Sequence, residues 1–327
     1  MTPRISVITT VYNSESYIIQ SVESILDQTF KDFEYIIVDD GSTDKTSALL
    51  QKLVSRDSRI ILIANHTNLG RVNSLNTALG RSRGEFIALQ DADDISLPDR
   101  FEKQCLFLAN NPDHVLVGSN IIVMDEFENF ISKPKRPTDD MGAKFSLLFR
   151  CTFANPSIMY RKNVIVENKI RYEENFIHAE DFRIITIISR FGKVHNLSSP
   201  LVKYRKHPSN NSVVNFDVLN SGSIVIVREN LAQLGVYVEA DQVHRIRNLI
   251  SSRGINKKFL YEDIKVIFRV IKKFHKKNNL VKNNEIQKTL KRMLKWLGKK
   301  NILKPKYMRL YLSILYFYNK EIFFRRN

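Results

Sequence analysis

The stretch Glu85-Phe86-Ile87-Ala88-Leu89-Gln90-Asp91-Ala92-Asp93-Asp94 decides the fold prediction, because a short apolar run ends in three carboxylates within four residues. Like charges this close repel one another, and a folded protein keeps them at moderate cost only in water or around a cation. Asp oxygens suit Mg²⁺ or Mn²⁺. Asp-x-Asp triplets also occur on solvated loops, but open α/β sheets bind ligands where their strands end. The stretch therefore predicts a strand that delivers carboxylates to a ligand-binding sheet edge.

Strand-like and helix-like patterns alternate through the first third of the chain. Short apolar runs predict strands at residues 5–11, 33–38, 60–64 and 86–90. Helical spacing predicts helices at residues 18–26, 45–54 and 72–79. A fourth helix is predicted to begin at residues 96–99. Gly80 is expected to close the third helix as a left-handed C-cap. This alternation predicts a mostly parallel sheet covered by helices on both faces.

Polar loops at residues 12–15, 39–44 and 91–94 follow three of these strands, so they are expected to meet at one sheet edge. The first loop lacks the Gly-x-Gly-x-x-Gly of a dinucleotide site, and the sequence contains no Gly-x-x-x-x-Gly-Lys phosphate loop. A common dehydrogenase and a common kinase or ATPase are therefore not supported. Any bound phosphate is expected to be held by metal and basic side chains.

Periodicity is weaker after Pro112, where strand-like runs occur at residues 115–124, 157–160, 194–197 and 201–207. Glu180-Asp181 precedes an apolar run that Gly192 closes, which predicts a helix with an acidic first turn. An aspartate at such a position can be a helix cap, which contributes about 0.5–2 kcal/mol, or a catalytic group. The residues alone leave both roles open for Asp181.

The net charge of +17 is a property of the C-terminal region. Residues 255–327 contain 21 Lys and Arg against 4 Asp and Glu, whereas the first 254 residues contain 30 of each sign. Lysines flank two runs of helical spacing, formed by Ile264, Ile267, Ile271 and Phe274 and by Ile286, Leu290, Met293, Leu294 and Leu297. The region is therefore either a helical cap with a solvated basic face or a surface that binds an anionic membrane leaflet. It has no nucleic-acid recognition motif, so nucleic acid is not a predicted partner.

Cysteine usage and the absence of long apolar runs predict the compartment. Cys105 and Cys151 lack metal-ligand spacing, so two free thiols in a reducing cytosol are expected. A strand is predicted almost at the N-terminus, which leaves no room for a signal peptide, and no run approaches the roughly 20 apolar residues of a spanning helix. We therefore expect a cytoplasmic protein, peripheral at the inner face of the cell membrane if the basic region binds lipid.

A series of motifs occurs in order between residues 3 and 215: Val7-Ile8-Thr9-Thr10-Val11-Tyr12-Asn13, Val38-Asp39-Asp40-Gly41-Ser42-Thr43-Asp44, Asn68-Leu69-Gly70, Leu75-Asn76, Asp91-Ala92-Asp93-Asp94, Pro98-Asp99-Arg100, Glu180-Asp181 and Tyr204-Arg205-x-His207. In this order and spacing they closely resemble family 2 of the glycosyltransferases. The resemblance implies an α/β GT-A fold, which is a Rossmann-like, mostly parallel sheet flanked by helices. The predicted catalytic domain is 1–215, with a nucleotide-binding half at 1–112 and an acceptor half at 113–215. The basic helical region follows at 216–327.

The resemblance also implies which residues bind the donor: Thr10, Tyr12, Glu15, Asp39, Asp40, Arg71, Asp91 and Asp93. In this set the first three form the nucleotide-base pocket. Asp40, with Asp39 beside it, is the carboxylate that reads the base edge, and Arg71 approaches the diphosphate. Asp91 and Asp93 match the Asp-x-Asp motif, whose members contact the donor ribose and the metal.

Metal and catalytic roles follow from the same resemblance. Asp93, Asp94 and His207 are the implied ligands of Mn²⁺ or Mg²⁺, and Asp181 is the implied general base. The Gln-x-x-Arg-Trp signature of processive members is missing, since the only tryptophan, Trp296, follows Lys295. This absence favours transfer of single sugars.

The predicted function is inverting, metal-dependent transfer of one sugar from a nucleotide sugar, favoured as a UDP-sugar, to a glycan or lipid-linked glycan of the cell surface. A nucleotidyltransferase of the same fold would need a basic, Gly-rich first loop, which is absent. The other alternative is a catalytically weak nucleotide-sugar-binding or scaffold protein of a glycan assembly complex. Donor turnover distinguishes this alternative from the enzyme.

Overall fold

The computed structural model describes residues 2–210, 214–250, 261–278, 283–299 and 305–323. The described strands are β1 Ile5–Val11, β2 Phe33–Asp39, β3 Ile60–Ala64, β4 Phe86–Leu89, β5 Ile95–Ser96, β6 His114–Asp125, β7 Phe130–Ser132, β8 Met159–Arg161 and β9 Lys193–Lys206. The described α-helices are α1 Ile18–Leu26, α2 Thr46–Val54, α3 Arg71–Arg81, α4 Arg100–Asn110, α5 Asp140–Leu147, α6 Lys162–Glu167, α7 Glu180–Ile188, α8 Phe216–Ala232, α9 Ala240–Ile250, α10 Tyr261–Asn278, α11 Asn284–Lys299 and α12 Pro305–Phe323. Short 3₁₀ turns occur at Asn155–Ser157 and Glu174–Phe176.

The described strands form one sheet in the order β3-β2-β1-β4-β8-β6-β9-β5, with β7 beside β6. The first four strands are parallel, with Ile5 opposite both Phe33 and Phe86, and the long pair β6 and β9 is also parallel. Among the described strands, each antiparallel pair includes one of the short strands β5, β7 and β8. The predicted α/β class with a mostly parallel sheet flanked by helices is confirmed.

Full burial of the central strands explains their nearly continuous apolar sequences. Every residue of β1, β2 and β4 is buried, as expected for a sheet that helices cover on both faces. α1 contributes Ile18, Val22 and Ile25 to the core, and α4 contributes Phe101, Cys105 and Leu108. The α4 face is the one that the sequence predicted.

Two details of the predicted elements are wrong. Gly80 does not form a left-handed C-cap, because α3 continues through it to Arg81 and its φ is not positive. The two runs at 194–197 and 201–207 are parts of one strand, β9, in which Pro200 still pairs with Asn120 of β6. A single proline is tolerated where the register of the ladder shifts.

Contacts divide the chain into two units. Unit 1 comprises residues 1–140 and 151–222, and it contains the whole sheet. Unit 2 comprises residues 141–150 and 223–327 and is helical in its described parts. The predicted domain boundaries at 112 and 215 remain predictions.

The helical C-terminal region is confirmed, and its predicted apolar faces form the core of unit 2. Ile264, Ile267, Ile271 and Phe274 of α10 are buried, as are Ile286, Leu290, Met293 and Leu297 of α11, whereas Leu294 is only half-buried. Phe274 meets the ring of Phe145 edge to face at 5.4 Å between centroids. The stretches of the basic region at 251–260, 279–282, 300–304 and 324–327 lie outside the described residues. Among the described helices, none is both long enough and apolar enough to cross a membrane.

Candidate active site

The loops that follow β1 and β2 hold each other through direct hydrogen bonds. The Asn13 N–H donates to Ser42 Oγ at 3.0 Å, and the Thr43 N–H donates to Asn13 Oδ1 at 2.8 Å. Glu15 Oε2 accepts the Lys45 N–H at 2.9 Å, immediately before α2. Helix starts leave N–H groups without intrahelical partners, and Glu15 satisfies one of them. The structure thus gives Glu15 a positioning role at the edge of the predicted base pocket.

Thr10 and Tyr12 lie at the end of β1 in different environments. Thr10 is buried in the strand, whereas Tyr12 follows the strand and leaves 46% of its surface exposed. An exposed aromatic ring beside a polar loop can stack on a planar base. The role predicted for these two residues remains a prediction.

The Asp40 carboxylate organises the loop between β3 and α3. Its Oδ1 accepts hydrogen bonds from Asn65 Nδ2 at 2.8 Å and from the Leu69 N–H at 3.0 Å, and its Oδ2 accepts the Gly70 N–H at 2.9 Å. Gly70 has a φ of 88°, which favours glycine. Asp40 is buried, so its first role is to fix the backbone that leads to Arg71.

Asp39 shapes the turn after β2. Its Oδ1 accepts the Ser42 N–H at 3.1 Å, and Gly41 between them has a φ of 74°. A Cβ atom on Gly41 would lie 2.6 Å from the carbonyl carbon of Thr67. The turn therefore requires glycine for its conformation and for the close approach of the next loop.

Arg71 joins the Asp-x-Asp loop to the helix that carries the candidate base. Its Nη2 donates to Asp91 Oδ1 at 2.6 Å and its Nε donates to Glu180 Oε1 at 2.9 Å. Asn155 Nδ2 donates to the same Asp91 oxygen at 2.8 Å. The two acidic neighbours raise the already high pKa of Arg71. Arg71 therefore neutralises carboxylates in this structure, and its predicted approach to a diphosphate remains a prediction.

Asp181 lies in the first turn of α7 and is only partly exposed. Its Oδ1 accepts the Phe182 N–H at 2.6 Å, while the N-cap residue of the helix is Ala179. Burial and the adjacent Glu180 charge raise the pKa of Asp181 to about 7. A carboxylate with this pKa suits general base catalysis at neutral pH.

Asp93 and His207 meet although they are far apart in the sequence. His207 Nε2 and Asp93 Oδ2 are 2.9 Å apart, and Asn210 Nδ2 donates to the same carboxylate oxygen at 3.2 Å. The other ring nitrogen of His207 lies 2.8 Å from Ser209 Oγ. Two predicted metal ligands are therefore brought together at the end of β9.

Asp94 is fully buried, unlike its neighbour Asp93. Its Oδ1 accepts the Arg205 N–H at 2.7 Å, and its Oδ2 is buried without a hydrogen-bond partner among the described residues. Burial, with the charges of Asp93 and Asp91, raises the pKa of Asp94 well above its ordinary value. A cation beside Asp94 would offset this unfavourable environment.

The donor set fits a divalent cation that a substrate helps to hold. The described residues contain no group of three or more His, Cys, Asp or Glu side chains arranged as a complete metal site. Mg²⁺ needs only one or two carboxylates when phosphates complete its coordination, and Mn²⁺ also accepts imidazole. Asp93 and His207, with the unpartnered oxygen of Asp94 nearby in the chain, match this requirement.

The sequence reasoning assigned no role to several side chains that support the site. Asn155 and Asn210 bind the two motif aspartates, and Arg205 Nε donates to the Asp93 carbonyl at 3.0 Å. Arg205 was visible within the Tyr204-Arg205-x-His207 motif, and Asn-Pro at 155–156 is a turn signal. Neither pattern tells which group the side chain contacts.

Comparisons with known proteins identify the family of this chain. The sequence profile of glycosyl transferase family 2 matches residues 6–169. An uncharacterized glycosyltransferase of Haemophilus influenzae is 31% identical over 318 residues, covering 85% of this chain and 98% of the relative. The O-antigen biosynthesis glycosyltransferase WbnJ of Escherichia coli is 33% identical over 208 residues, covering 62% of this chain and 80% of the relative. The chain therefore belongs to glycosyl transferase family 2, and the predicted transferase class is confirmed.

Solved structures support the same fold. Staphylococcus aureus TarS 1–349 in complex with UDP-GlcNAc has a TM-score of 0.59 and 19% identity, covering 97% of this chain and 92% of that one. The mannosyltransferase PcManGT of Pyrobaculum calidifontis, in complex with GDP-Man and Mn²⁺, has a TM-score of 0.53 and 15% identity, covering 98% and 86%. At these identities the likeness establishes the GT-A fold.

Proposed function

We propose that this chain transfers a single sugar, with inversion, from a UDP-sugar to a glycan or lipid-linked glycan in cell-surface polysaccharide biosynthesis. The observation that carries the proposal is the Arg71 bridge, which links Asp91 of the donor motif to Glu180, the neighbour of Asp181. A donor-side carboxylate and a candidate base with a pKa of about 7 therefore belong to one cluster. The names of the O-antigen relative WbnJ and of the UDP-GlcNAc complex support the acceptor class and the donor class.

Asp181 is the group that accepts the proton of the acceptor hydroxyl. Its raised pKa makes it a stronger base than an ordinary carboxylate, and it still ionises at neutral pH. Tyr12 stacks on the nucleotide base, and Asp39 lies at the base edge. Asp40 holds the 65–70 loop so that Arg71 projects from the start of α3.

Asp93 and His207 are the proposed metal ligands, and Asp94 adds charge from a buried position beside them. A bound Mn²⁺ or Mg²⁺ supplies charge that stabilises the diphosphate leaving group. Asn210 and Arg205 hold the Asp93 side chain and backbone, which keeps this carboxylate oriented without a substrate.

We also propose that unit 2 binds anionic lipid at the cytoplasmic face of the membrane. Lys272, Lys273, Lys276 and Lys277 of α10 are exposed, while Phe274 between them is buried. Each basic residue near an anionic surface contributes about 1 kcal/mol of binding free energy.

Calorimetry of UDP binding with and without Mn²⁺ tests the site. Asp93→Ala is expected to abolish the metal-dependent part of UDP binding, because the diphosphate then faces the remaining carboxylates with less compensating charge. Asp113→Ala is the matched control, since Asp113 is an exposed aspartate that pairs with Lys193 at the start of β9. Unchanged affinity and unchanged metal dependence in Asp93→Ala would contradict the assignment.

A further inference from the structure

Glu180 is a buried carboxylate with only one of its oxygens satisfied. Its side chain is 8% exposed, and Oε1 accepts the Arg71 Nε hydrogen at 2.9 Å. Its Oε2 has no hydrogen-bond partner among the described residues. A buried acceptor without a partner lowers the stability of the fold. Such a group in a native structure therefore calls for a specific explanation, for example a role in function.

The neighbours of Asp181 place Glu180 among the groups that act on it. Glu180 is the adjacent residue in the first turn of α7, Arg71 comes from the start of α3, and Asp91 from the loop after β4. Cys151 is also near, but burial raises the pKa of its thiol, so it stays neutral. Glu180 is therefore the carboxylate next to Asp181 in the chain, and its charge raises the pKa of Asp181, whereas the charge of Arg71 lowers it.

Arg71 ties the charge of Glu180 to the donor side of the site. The same guanidinium donates to Asp91, which also accepts a hydrogen bond from Asn155. A second contact joins α3 to the segment that precedes α7. Asn76 Nδ2 donates to the Tyr172 carbonyl, and Asn76 Oδ1 accepts the Tyr172 N–H. These hydrogen bonds hold the segment that leads to α7 against α3, and they support the contact between Glu180 and Arg71.

We propose that Glu180, held by Arg71, is a positioning residue that sets how readily Asp181 accepts a proton. The proposal rests on the proposed function, in which Asp181 is the general base. The α7 N-terminus favours a charged Asp181, as helix starts stabilise anions. Burial and the Glu180 charge outweigh this effect and raise the pKa of Asp181 to about 7, and Arg71 limits the rise.

If the Arg71–Glu180 salt bridge only joined α3 to α7, its removal would leave the titration of Asp181 unchanged. Glu173 offers a matched control, because its Oε1 accepts the Arg183 Nε hydrogen at 2.9 Å in the same segment. Glu173→Gln removes a similar ion pair, and Glu173 is not among the main charges that shift the pKa of Asp181.

The test is a carboxyl ¹³C NMR titration of the ligand-free full chain, with the Asp181 signal assigned by its loss in Asp181→Asn. The wild-type midpoint is expected near pH 7. Glu180→Gln should lower it by about 1 pH unit, the size that one nearby charge produces, and Arg71→Gln should raise it. Glu173→Gln should titrate like the wild type.

A Glu180→Gln midpoint equal to that of the wild type would overturn the proposal. If Glu180→Gln does not fold, the Arg71→Gln titration decides, and an unchanged or lower midpoint in that variant would overturn the proposal equally. These titrations need no substrate. A result that overturns the role of Glu180 can therefore be distinguished from a result that overturns the proposed function. That function fails instead if Asp181→Asn transfers sugar at a rate within a few-fold of the wild type.

Discussion

Asp91 and Asp93 are separated by one residue, yet different partners hold their carboxylates. Asp91 Oδ1 accepts hydrogen bonds from Arg71 and Asn155, and Asp93 Oδ2 lies 2.9 Å from His207 Nε2. Donors on separate segments keep each acid in place and reduce the repulsion between them. The site is thus held in position before any donor arrives.

Asp181→Asn separates the catalytic role from the helix-start role. We expect donor affinity near that of the wild type and transfer lowered by about 10² to 10⁴-fold, the range for loss of a general base. UDP calorimetry and a UDP-release assay measure the two quantities. Asn still accepts a hydrogen bond from the Phe182 N–H, so the local helix start is kept. Activity within a few-fold of the wild type would show that Asp181 is a helix-start residue only.

The acidic residues of the site could be predicted from the sequence, but their partners could not. Carboxylates at strand ends follow from the chain pattern, and the structure places them there. Arg71 and Glu180 are 109 residues apart, and their contact depends on how α3 and α7 pack. The three hydrogen bonds that Asp40 accepts from the 65–70 loop depend equally on tertiary approach.

At the scale of elements, α4 is joined to the sheet through the buried Arg100. Its Nη2 donates to the Leu89 carbonyl at 2.7 Å and to the Ile158 carbonyl at 3.3 Å. Its Nη1 donates to Gln90 Oε1 and Ser96 Oγ, and its Nε donates to Gln104 Oε1. Burial lowers the pKa of Arg100 to about 9, and the ionisable groups of Tyr35, Asp91 and Asp94 partly oppose this shift. Arg100 therefore connects β4, the 155–158 turn and α4 directly beneath the Asp-x-Asp loop.

Arg100→Met tests this connection. The expected loss is about 2–4 kcal/mol in the free energy of unfolding, because the change leaves several buried acceptors without a donor. Denaturant unfolding measures it. Lys103→Met on the same helix is the control, since Lys103 is exposed and forms an ion pair with Asp99 at the helix start, and it should change stability by less than about 1 kcal/mol. Equal effects of the two substitutions would contradict the role of Arg100.

Elements with strong periodicity could be predicted closely from the sequence. β1 and β3 have the predicted bounds, and β2 and β4 differ by one residue. Gly80 failed as a C-cap because the α3 turn extends to Arg81, a residue whose propensity supports helix. β9 could not be predicted as one strand, since the proline at 200 interrupts its pattern and only pairing with β6 continues it.

At the scale of the whole molecule, charge and catalysis are separated along the chain. The site residues lie in unit 1, and the excess of lysine lies in the C-terminal part that belongs to unit 2. Exposed charges are screened over about 8 Å at physiological salt. Lipid binding through unit 2 should therefore be sensitive to salt.

Liposome sedimentation of the full chain tests the proposed membrane contact. The wild type should pellet with anionic but not neutral vesicles at low salt, and it should be released as salt rises. Replacing Lys272, Lys273, Lys276 and Lys277 with Gln should weaken pelleting. The matched control replaces four exposed lysines of unit 1, which are Lys31, Lys52, Lys103 and Lys169. Equal pelleting of both variants would indicate that the basic region is a structural cap.

Donor turnover tests the central claim most directly. The full chain is incubated with Mn²⁺ and a panel of UDP-sugars and GDP-sugars, and release of the nucleoside diphosphate is measured. We predict that at least one UDP-sugar is consumed, by slow hydrolysis without an acceptor, and that this consumption falls when Mn²⁺ is chelated. Binding of UDP without consumption of any donor would contradict the enzyme and favour a nucleotide-sugar-binding protein.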